Sequence, residues 1–472
     1  MNSSVRVRFA PSPTGLIHLG SVRTALFNYL FARKEHGTLI LRIEDTDHER
    51  NFDPQAVKIL EDLAWLQLPF DEGPTTGGPY KPYFQSQRMS LYQEKLEELI
   101  TKKAVYRCFC SEEELEQKRL RQMALKQPPR YDRTCTQLSS AAIEEKVQHN
   151  TPFIWRFKLD TQKVVHINDI ARGTIEFDLA HFSDFAVTRQ NGTFTFLFAN
   201  AVDDVLMKIS HIFRGEDHIS NTPLQVALYA SFNFNTPIFW HMPTICNIDG
   251  KKLSKRDFGF SLRDLKEGGF LPEAICNYLA IIGASFKQEI MALEELVHAI
   301  DFTKINSTSG IKYDLEKLLW VNHQWIMRSS TERIARCLQP FIHAAYPAST
   351  SLNDETYLQL IDVIRPELRT LKDAVPLLQF YFTYTPPSSE QLTADSTTQA
   401  VLALCKTVIA HATSTQELFD VLKKESVAHG IGQKQLWQNV RLLLTGSTQG
   451  LSVKDTFELL GLATIKQRIE RL

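Results

Sequence analysis

Two short segments, far apart in the chain, constrain its fold more than any other feature. Residues 11–20 read PSPTGLIHLG, and residues 252–256 read KLSKR. The first segment offers glycines and a histidine, which suit a phosphate lying close to the backbone at a helix start. The second offers cations and a small hydroxyl side chain. We expect the fold to bring both segments together over one polyphosphate.

The first 47 residues predict a nucleotide-binding unit. Alternation over 5–9 predicts a strand, helical spacing from Ser21 predicts a helix that ends by Gly37, and the apolar run 38–43 predicts a second strand. Strand, helix and strand imply a parallel crossover, whose ligand lies outside the carboxyl ends of the strands. Both the glycine-containing loop and the acidic residues 44–47 fall there. Without the neighbouring loop, the simpler interpretation of these acidic residues is a solvent-exposed turn at the end of a strand.

Composition limits the class of protein. A chain of 472 residues holds roughly two to four domains. The net charge of −1 leaves nucleic acid to be bound by local basic patches. Seven cysteines without a disulfide-like framework predict reduced thiols. The chain shows no signal-peptide pattern and no apolar run of about eighteen residues, so we expect a cytoplasmic protein with no membrane partner.

The motifs resemble a known family. Residues 8–20 and 42–47 resemble the amino end of a class I, bacterial-type glutamyl-tRNA synthetase, and 252–256 resemble its mobile lysine-serine-lysine loop. The likeness is specific over roughly residues 5–325 and diffuse beyond them. Further matching segments are 198–204 (FANAVDD), 211–217 (HIFRGED), 268–274 (GGFLPEA), 277–279 (NYL) and 319–322 (LWVN).

The resemblance implies ATP-dependent ligation of L-glutamate to tRNA(Glu) through a glutamyl-adenylate, giving glutamyl-tRNA, AMP and diphosphate, with ATP and Mg²⁺ required. Such phosphate chemistry depends mostly on positioning and charge stabilisation. The residues that it assigns to catalysis are His18, Lys252, Ser254 and Lys255. Those that it assigns to ATP are Pro11, Ser12, Thr14, Gly15, His18, Gly20 and Lys255. Taken alone, the lysines would read equally well as a solvated basic turn.

Amino-acid recognition carries over position by position. The positions that align with a glutamate pocket are Arg8, Ala10, Ser12, Glu44, Phe196, Asn200 and Arg214. The glutamate substrate carries two carboxylates and one ammonium group. A buried pocket for it requires arginines and one acidic side chain, because desolvated charges must be matched. Glu44 is then the partner of the ammonium, and Arg8 and Arg214 bind the carboxylates. The alternative for the arginines is an ordinary surface ion pair.

One pocket position departs from the family. Relatives usually carry a tyrosine where this chain has Phe196. Loss of one neutral hydrogen bond costs about 1 kcal/mol. We therefore expect weaker affinity for glutamate unless a neighbouring group replaces the hydroxyl.

Three cysteines lie at a spacing that suits a zinc site. Cys108, Cys110 and Cys135 offer three thiolates for a structural tetrahedral site. Some relatives supply a histidine two positions after the third cysteine, where this chain has Gln137, a poor ligand. The resemblance to a tRNA-modifying branch makes the Tyr131 phenolate the fourth candidate. The alternative is three reduced, metal-free thiols. The other cysteines, Cys246, Cys276, Cys337 and Cys405, are predicted to be core residues.

The resemblance implies an α/β Rossmann-type catalytic domain with an inserted α/β acceptor-binding domain, followed by an all-α C-terminal anticodon-binding region. The predicted boundaries are 1–90 for the first Rossmann half, 91–195 for the inserted acceptor-end-binding domain, 196–245 for the second Rossmann half, 246–325 for a stem-contact domain with the KLSKR loop, and 326–472 for the anticodon-binding region. Helical periods after Trp320 favour glutamate over glutamine as substrate, because the glutaminyl branch uses β-barrels there.

The choice of tRNA stays open between tRNA(Glu) alone and tRNA(Glu) with tRNA(Gln). Near Thr445 this sequence has Ser447 where selective relatives carry a basic residue. We expect a monomer. Three other functions compete with ligation: glutamylation of a modified tRNA base, a small nucleotidyltransferase with an HxGH-type motif, and a non-catalytic tRNA-binding paralogue. The helical C-terminal region argues against the first, the KLSKR loop against the second, and two intact signature segments against the third.

Overall fold

The computed structural model describes residues 4–13, 15–46, 53, 55–254, 256–305 and 310–472. The chain divides into two compact units, residues 1–265 with 275–315 and residues 266–274 with 316–472. Within the described ranges, no helix is both long enough and apolar enough to cross a membrane.

The first unit contains strands and helices in alternation. Its strands are β1 (Arg6–Phe9), β2 (Thr38–Leu41), β3 (Val105–Cys108), β4 (Ile154–Phe157), β5 (Val164–Asp169), β6 (Gly173–Asp178), β7 (Phe185–Ala186), β8 (His211–Gly215), β9 (Ile238–Met242), β10 (Ile245–Cys246) and β11 (Ile311–Lys312). Helices that lie wholly within it are α1 (Leu19–Lys34), α2 (Val57–Trp65), α3 (Met89–Thr101), α4 (Glu112–Ala124), α5 (Ser140–Gln148), α6 (Phe196–Leu206), α7 (Thr222–Ser231) and α10 (Leu293–Ala299).

The predicted strand–helix–strand crossover is confirmed. β1 pairs with β2 in parallel, from Arg6 opposite Thr38 to Phe9 opposite Leu41, and α1 connects the two strands. Helix α1 begins just after His18, whose side chain accepts a hydrogen bond from the backbone N–H of Ser21. The described residues of the segment 11–20 therefore lie between the carboxyl end of β1 and the start of α1, where free backbone N–H groups favour anions.

A second sheet continues the first. Its order is β6-β5-β9-β8, with β8 and β9 parallel and connected through α7. The backbone N–H of Ser210 donates to the carbonyl of Arg6 at 3.0 Å, which joins β8 to β1. β5 and β6 form an antiparallel pair, and β5 pairs with β9 in parallel at Asp169 opposite Phe239. A strand from the predicted insertion thus lies directly against the second half of the sheet.

Aromatic side chains fill the core between α1 and these strands. Phe27 contacts Trp240 edge to face at 5.1 Å, and Phe31 contacts Phe213 at 4.7 Å between ring centroids. Phe302 packs against all four rings. Burial of such large side chains is the main favourable contribution to folding, and edge-to-face packing adds to it.

The second unit is helical, as predicted. Helices α8 (Leu262–Glu267), α9 (Pro272–Ile281) and α11 (Leu315–Arg328) cross the boundaries between the units. Among the described residues from 316 onward there are helices and no strand. These helices are α12 (Thr331–Ala345), α13 (Asp354–Ile364), α14 (Ala374–Phe382), α15 (Ser389–Thr393), α16 (Ser396–Ile409), α17 (Thr415–Ala428), α18 (Gln433–Thr445) and α19 (Val453–Glu470), the last interrupted at Gly461.

The seven cysteines all lie in the described part of the chain, and none of them forms a disulfide. Cys246, Cys276 and Cys405 are buried, in agreement with the prediction of core positions. The same prediction for Cys337 is wrong, because its side chain is only partly buried. Helix α12 is strongly amphipathic, and its fully buried positions are Ile334, Ala335, Leu338 and Ile342, which leaves Cys337 at the edge of the buried stripe.

Candidate functional site

The two sequence-distant segments meet at one cavity. The backbone N–H of Leu19 donates to the carbonyl of Phe260 at 3.0 Å, and that of Leu262 donates to the carbonyl of Ile17 at 2.9 Å. Residues 17–19 therefore lie against the segment that follows KLSKR. A cavity of about 1220 Å³ opens there, with Lys252 and Ser254 on its wall.

Every predicted site residue that the structure describes, apart from the cysteine cluster, lines this cavity. These residues are Arg8, Ala10, Pro11, Ser12, Gly15, His18, Gly20, Glu44, Phe196, Asn200, Arg214, Lys252 and Ser254. Thr14 and Lys255 lie outside the described residues. Their roles, and those of the lining residues, stay predictions.

His18 lies between the two segments. Its Nδ1 accepts from the backbone N–H of Ser21 at 3.2 Å, and its Nε2 lies 3.1 Å from the Ser21 hydroxyl. The imidazole stacks on Phe260 with a centroid separation of 5.7 Å. Burial, and then the charge of Lys252, lower the pKa of His18. The ring is therefore neutral near pH 7 and is suited to hydrogen bonding with a phosphate oxygen.

The KLSKR segment is held by acidic side chains. Lys252 Nζ lies 3.2 Å from Asp217 Oδ2, and Asp257 Oδ2 accepts from both the backbone N–H and the hydroxyl of Ser254 at 2.8 Å. The Lys252 pair is more than half exposed, so solvent weakens it and an anionic ligand can displace it.

Arg8 and Glu44 on one wall of the cavity belong to an ion-paired cluster, which Arg42 and Asp204 complete behind them. Asp204 Oδ1 accepts from Arg8 Nε at 3.1 Å and from Arg42 Nη1 at 2.8 Å, and Arg42 Nη2 donates to Glu44 Oε1 at 3.0 Å. All four side chains are buried. Burial alone would raise the pKa of Asp204, but Arg8 and Arg42 hold it below its ordinary value. Burial does raise the pKa of Glu44, despite both arginines.

Arg214 lies in a different environment, a neutral cradle formed by Thr222, Gln225 and His241. Its Nη1 donates to Gln225 Oε1 at 2.6 Å, its Nη2 to Thr222 Oγ1 at 2.6 Å, and its Nε to His241 Nε2 at 3.3 Å. Over the part of the chain that the structure describes, no carboxylate lies within ion-pair distance of this guanidinium. Burial lowers the pKa of Arg214 to about 10, so it is still a cation near pH 7.

Gln225 connects the two walls and was missed in the sequence. Its Nε2 donates to Asn200 Oδ1 at 2.7 Å, and Asn200 Nδ2 donates to Glu44 Oε1 at 2.5 Å. One chain of hydrogen bonds thus runs from Arg214 to the ion-paired cluster. Gln225 belongs to α7, outside every motif, and a polar residue in a mostly apolar helix was the only signal available.

Comparison with known proteins places this geometry in a family. The family model described as "tRNA synthetases class I (E and Q), catalytic domain" matches residues 4–320, and the one described as "Anticodon binding domain" matches residues 333–472. The chain belongs to the class I glutamyl- and glutaminyl-tRNA synthetase family.

Similar members of this synthetase family match over nearly the whole chain. A glutamate–tRNA ligase of Moorella thermoacetica is 36% identical over 99% of this chain and 98% of its own length, and one of a Sulfurihydrogenibium strain is 38% identical over 99% and 98%. A crystal structure of a glutamate tRNA ligase from Elizabethkingia meningosepticum in complex with its amino acid has a TM-score of 0.87, 31% identity and 99% coverage of both chains.

In this synthetase chain Phe196 begins α6 and lines the cavity. Its ring centroid lies 5.9 Å from that of His218, which also lines the cavity and was not predicted from the sequence. Burial, and then the charge of Arg214, lower the pKa of His218, so it is a neutral hydrogen-bonding group near pH 7.

The three predicted cysteines come together at the end of β3. The sulfur atoms of Cys108, Cys110 and Cys135 all lie within 4.8 Å of one another, with Cys110 Sγ 3.5 Å from Cys135 Sγ. The Tyr131 hydroxyl lies 3.3 Å from Cys108 Sγ and 3.8 Å from Cys110 Sγ. These separations match four donors around one tetrahedral ion.

Proposed function

We propose that this protein ligates L-glutamate to tRNA(Glu) through a glutamyl-adenylate, with release of AMP and diphosphate. The observation that carries the proposal is the buried guanidinium of Arg214, which has only neutral hydrogen-bond partners and lies on the wall of a cavity that also contains His18, Lys252 and Ser254. A buried cation of this kind is stabilised when a ligand supplies an anion. The side-chain carboxylate of glutamate is such an anion, and glutamine does not supply it.

The opposite wall suits the other end of the amino acid. Glu44 accepts from Arg42 and Asn200 through Oε1, and its raised pKa reflects an ionised form that burial disfavours. A bound ammonium group would restore the ionised carboxylate and pair with it. Arg8, already paired with Asp204, adds positive charge near the α-carboxylate.

ATP is assigned to the side of the cavity formed by His18, Gly20, Lys252 and Ser254. Neutral His18 and the N–H groups at the start of α1 would hydrogen-bond phosphate oxygens as charge develops. Mg²⁺ fits this side, because Asp217 and Asp264 on the cavity wall offer the oxygen ligands that it prefers. The ion would supply neutralisation of phosphate charge.

Zinc is assigned to Cys108, Cys110, Cys135 and Tyr131 as a structural ion. The donors come from β3 and from the loop before α5, so a bound ion would fix these segments to each other. Metal analysis of the purified protein tests this assignment. About one equivalent of zinc supports it, and metal-free protein that folds and functions contradicts it.

ATP–pyrophosphate exchange with glutamate, measured with and without tRNA(Glu), tests the proposed function. We expect exchange that requires glutamate and depends on the cognate tRNA, followed by transfer of labelled glutamate to the tRNA. Exchange that never appears would remove the ligase proposal and favour a tRNA-binding paralogue. Transfer to the anticodon region of the tRNA, not to its 3′ end, would favour base glutamylation.

Lys255→Ala gives a direct test of the second segment. We expect the rate of adenylate formation to fall by roughly three orders of magnitude or more, because the ammonium stabilises charge that develops on the pyrophosphate. Binding of tRNA, measured by filter retention, should change little. Unchanged activation would overturn the role assigned to Lys255.

The choice of tRNA follows from the helical unit. Ser447 is exposed in the turn between α18 and α19, and its backbone N–H contacts the Thr445 hydroxyl. With no basic side chain at this position, we propose that tRNA(Gln) is a second substrate. Charging of each purified tRNA separately decides this, and strict selectivity for tRNA(Glu) contradicts it. We also propose a cytoplasmic monomer, in agreement with seven free cysteines.

A further inference from the structure

Behind Arg214 lies a buried acid–histidine pair that no motif includes. Asp169 ends β5, and His241 lies on β9 directly opposite Arg214 of β8 in the parallel register. His241 Nδ1 is 2.8 Å from Asp169 Oδ2, and the same oxygen accepts the backbone N–H of His241 at 2.9 Å. Both side chains are buried, with relative exposures of 0% for His241 and 3% for Asp169.

The hydrogen-bond partners determine the tautomer of His241. Arg214 Nε can only donate, and the Thr222 hydroxyl lies 2.9 Å from the same Nε2 atom while accepting from Arg214 Nη2. Nε2 must therefore be an acceptor, and the proton must lie on Nδ1, where Asp169 accepts it. Burial, opposed in part by Asp169, lowers the pKa of His241, which is consistent with a neutral ring.

The other oxygen of Asp169 has its own donors. Oδ1 accepts the backbone N–H groups of Ala171 and Arg172, each at 3.0 Å. Both oxygens thus face N–H donors only, and a carboxylate satisfies all of them, whereas an amide cannot. Burial alone would raise the pKa of Asp169, but the side chain and backbone of His241 hold it below its ordinary value. The charge of Asp169 is therefore present near pH 7.

We propose that Asp169 and His241 are positioning residues for substrate recognition: Asp169 holds His241 in the Nδ1–H tautomer, and His241 Nε2 holds the Arg214 guanidinium in the orientation that binds the substrate carboxylate. A carboxylate in direct contact with Arg214 would compete with the substrate. Asp169 is separated from Arg214 by the imidazole of His241. It therefore polarises the ring toward Arg214 without placing a competing anion beside the outer N–H groups of the guanidinium. The inference rests on the proposed function, because it names what orients the predicted glutamate-binding arginine.

The pair also connects the predicted insertion to the pocket. Asp169 lies in the segment 91–195, and its only ladder contact with β9 is the pairing with Phe239. Phe239 stacks on His241 with an interplanar angle of 6° and lies under Arg214 at 5.3 Å. Asp169, His241 and Arg214 thus form one packed layer, so a change at the first should reach the third.

Asp169→Asn tests the tautomer. The NH₂ group introduced at position 169 would have to face either the N–H groups of Ala171 and Arg172 or those of His241. If it faces His241, the imidazole must accept through Nδ1 and carry its proton on Nε2, where it would oppose the N–H of Arg214 Nε. We expect the KM for glutamate to rise about tenfold or more, with the KM for ATP and kcat changed less than about threefold. The assay is tRNA-dependent ATP–pyrophosphate exchange on the full chain.

Two further variants separate positioning from general structure. His241→Asn keeps a donor for Asp169 but removes the acceptor for Arg214, so it should raise the KM for glutamate as Asp169→Asn does. Asp184→Asn is the matched control in the same insertion. Asp184 is 1% exposed and does not line the cavity. Its Oδ1 accepts from Leu159 N at 2.9 Å and from Arg133 Nη2 at 2.6 Å, and its Oδ2 accepts from the Tyr106 hydroxyl at 2.8 Å. It should lower the melting temperature and leave the KM for glutamate unchanged.

A second measurement needs no variant. Long-range ¹H–¹⁵N spectra of the imidazoles in the wild-type protein near pH 7 should show His241 with the proton on Nδ1. A proton on Nε2, or a doubly protonated ring, overturns the inference, as does an unchanged KM for glutamate in both variants or an equal rise in the KM for ATP. Absence of glutamate-dependent exchange in the wild-type protein would instead remove the proposed function, and the tautomer would still be measured.

Discussion

The two walls of the cavity differ in the partners of their buried arginines, which are carboxylates on one wall and neutral groups on the other. In the ion-paired cluster, Arg8 and Arg42 share the carboxylate of Asp204, and Arg42 also reaches Glu44. In the neutral cradle, Arg214 is held by an amide, a hydroxyl and an imidazole. In the first wall, carboxylates of the protein already match the two arginines. The second has an excess positive charge that a ligand can match.

This difference separates stability from binding. Removing one member of a buried ion pair leaves its partner uncompensated and is strongly destabilising. Removing an arginine that has no counter-ion takes away a charge that was itself costly to bury. We therefore expect substitution of Asp204, which pairs with both arginines, to act mainly on folding, and substitutions at Glu44 and Arg214 to act mainly on glutamate. The following variants test that division.

Asp204→Asn should have the largest effect. It leaves two buried guanidinium groups without their shared carboxylate, and we expect the free energy of unfolding to fall by about 3–5 kcal/mol. Urea titration at pH 7 measures the loss. A loss below about 1 kcal/mol would show that the cluster does not depend on this charge.

The pH dependence gives a control for the same variant. The folded-state pKa of Asp204 is depressed, so its stabilising contribution is present above its unfolded pKa of about 3.9 and is lost as the pH falls through the folded value. The difference in stability between wild type and Asp204→Asn should therefore be constant near pH 6–7 and should shrink below about pH 4. A difference that grows on acidification would contradict the assignment.

Arg214→Gln should reverse the pattern. We expect kcat/KM for glutamate to fall by roughly 100-fold, since a charged hydrogen-bond partner of the substrate is lost, while the melting temperature changes little. Steady-state exchange assays and thermal denaturation measure the two effects.

Arg468→Gln is the matched control for Arg214→Gln. Arg468 is also buried and is held by neutral acceptors, the carbonyls of Leu444 and Phe380, but it lies in the helical unit. By the same argument it should change the melting temperature little, and it should leave the KM for glutamate unchanged at saturating tRNA. An equal rise in that KM for both variants would refute a specific role for Arg214.

Glu44→Gln tests the member of the ion-paired cluster that we assign to the substrate. The amide oxygen can still accept from Arg42 and Asn200, and removal of a carboxylate whose pKa burial has raised should not lower stability at pH 7. We expect the KM for glutamate to rise about tenfold, because the ammonium loses its charged partner. Strong destabilisation without an effect on KM would instead make Glu44 a structural residue.

Phe196→Tyr should have the smallest effect. It restores the hydroxyl that relatives usually carry, and one neutral hydrogen bond corresponds to a decrease of about fivefold in the KM for glutamate. Calorimetric titration or exchange kinetics can resolve this change. An unchanged KM would indicate that a neighbour, with His218 the closest ring, already provides the contact.

The sequence predicted the parts of the site that motifs contain. Residues 11–12, 15–20, Glu44 and 252–254 line one cavity, and Cys108, Cys110 and Cys135 converge as their spacing suggested. It did not predict Gln225, His218, Asp169 or His241. Gln225 and His241 are polar residues among mostly apolar neighbours in α7 and β9, and His218 and Asp169 lie among other polar residues. In neither setting does the local sequence show which groups the side chain faces.

What the chain by itself determined was the class of chemistry and the order of its elements, because local periodicity, turn residues and signature segments depend on neighbours in sequence. Tertiary structure alone decided which charges are compensated. The sequence gives no sign that Arg8 and Arg214 differ, yet in the folded chain Asp204 lies beside Arg8 and His241 lies beside Arg214. Electrostatic interactions depend on distance and burial, and both are properties of the packed chain.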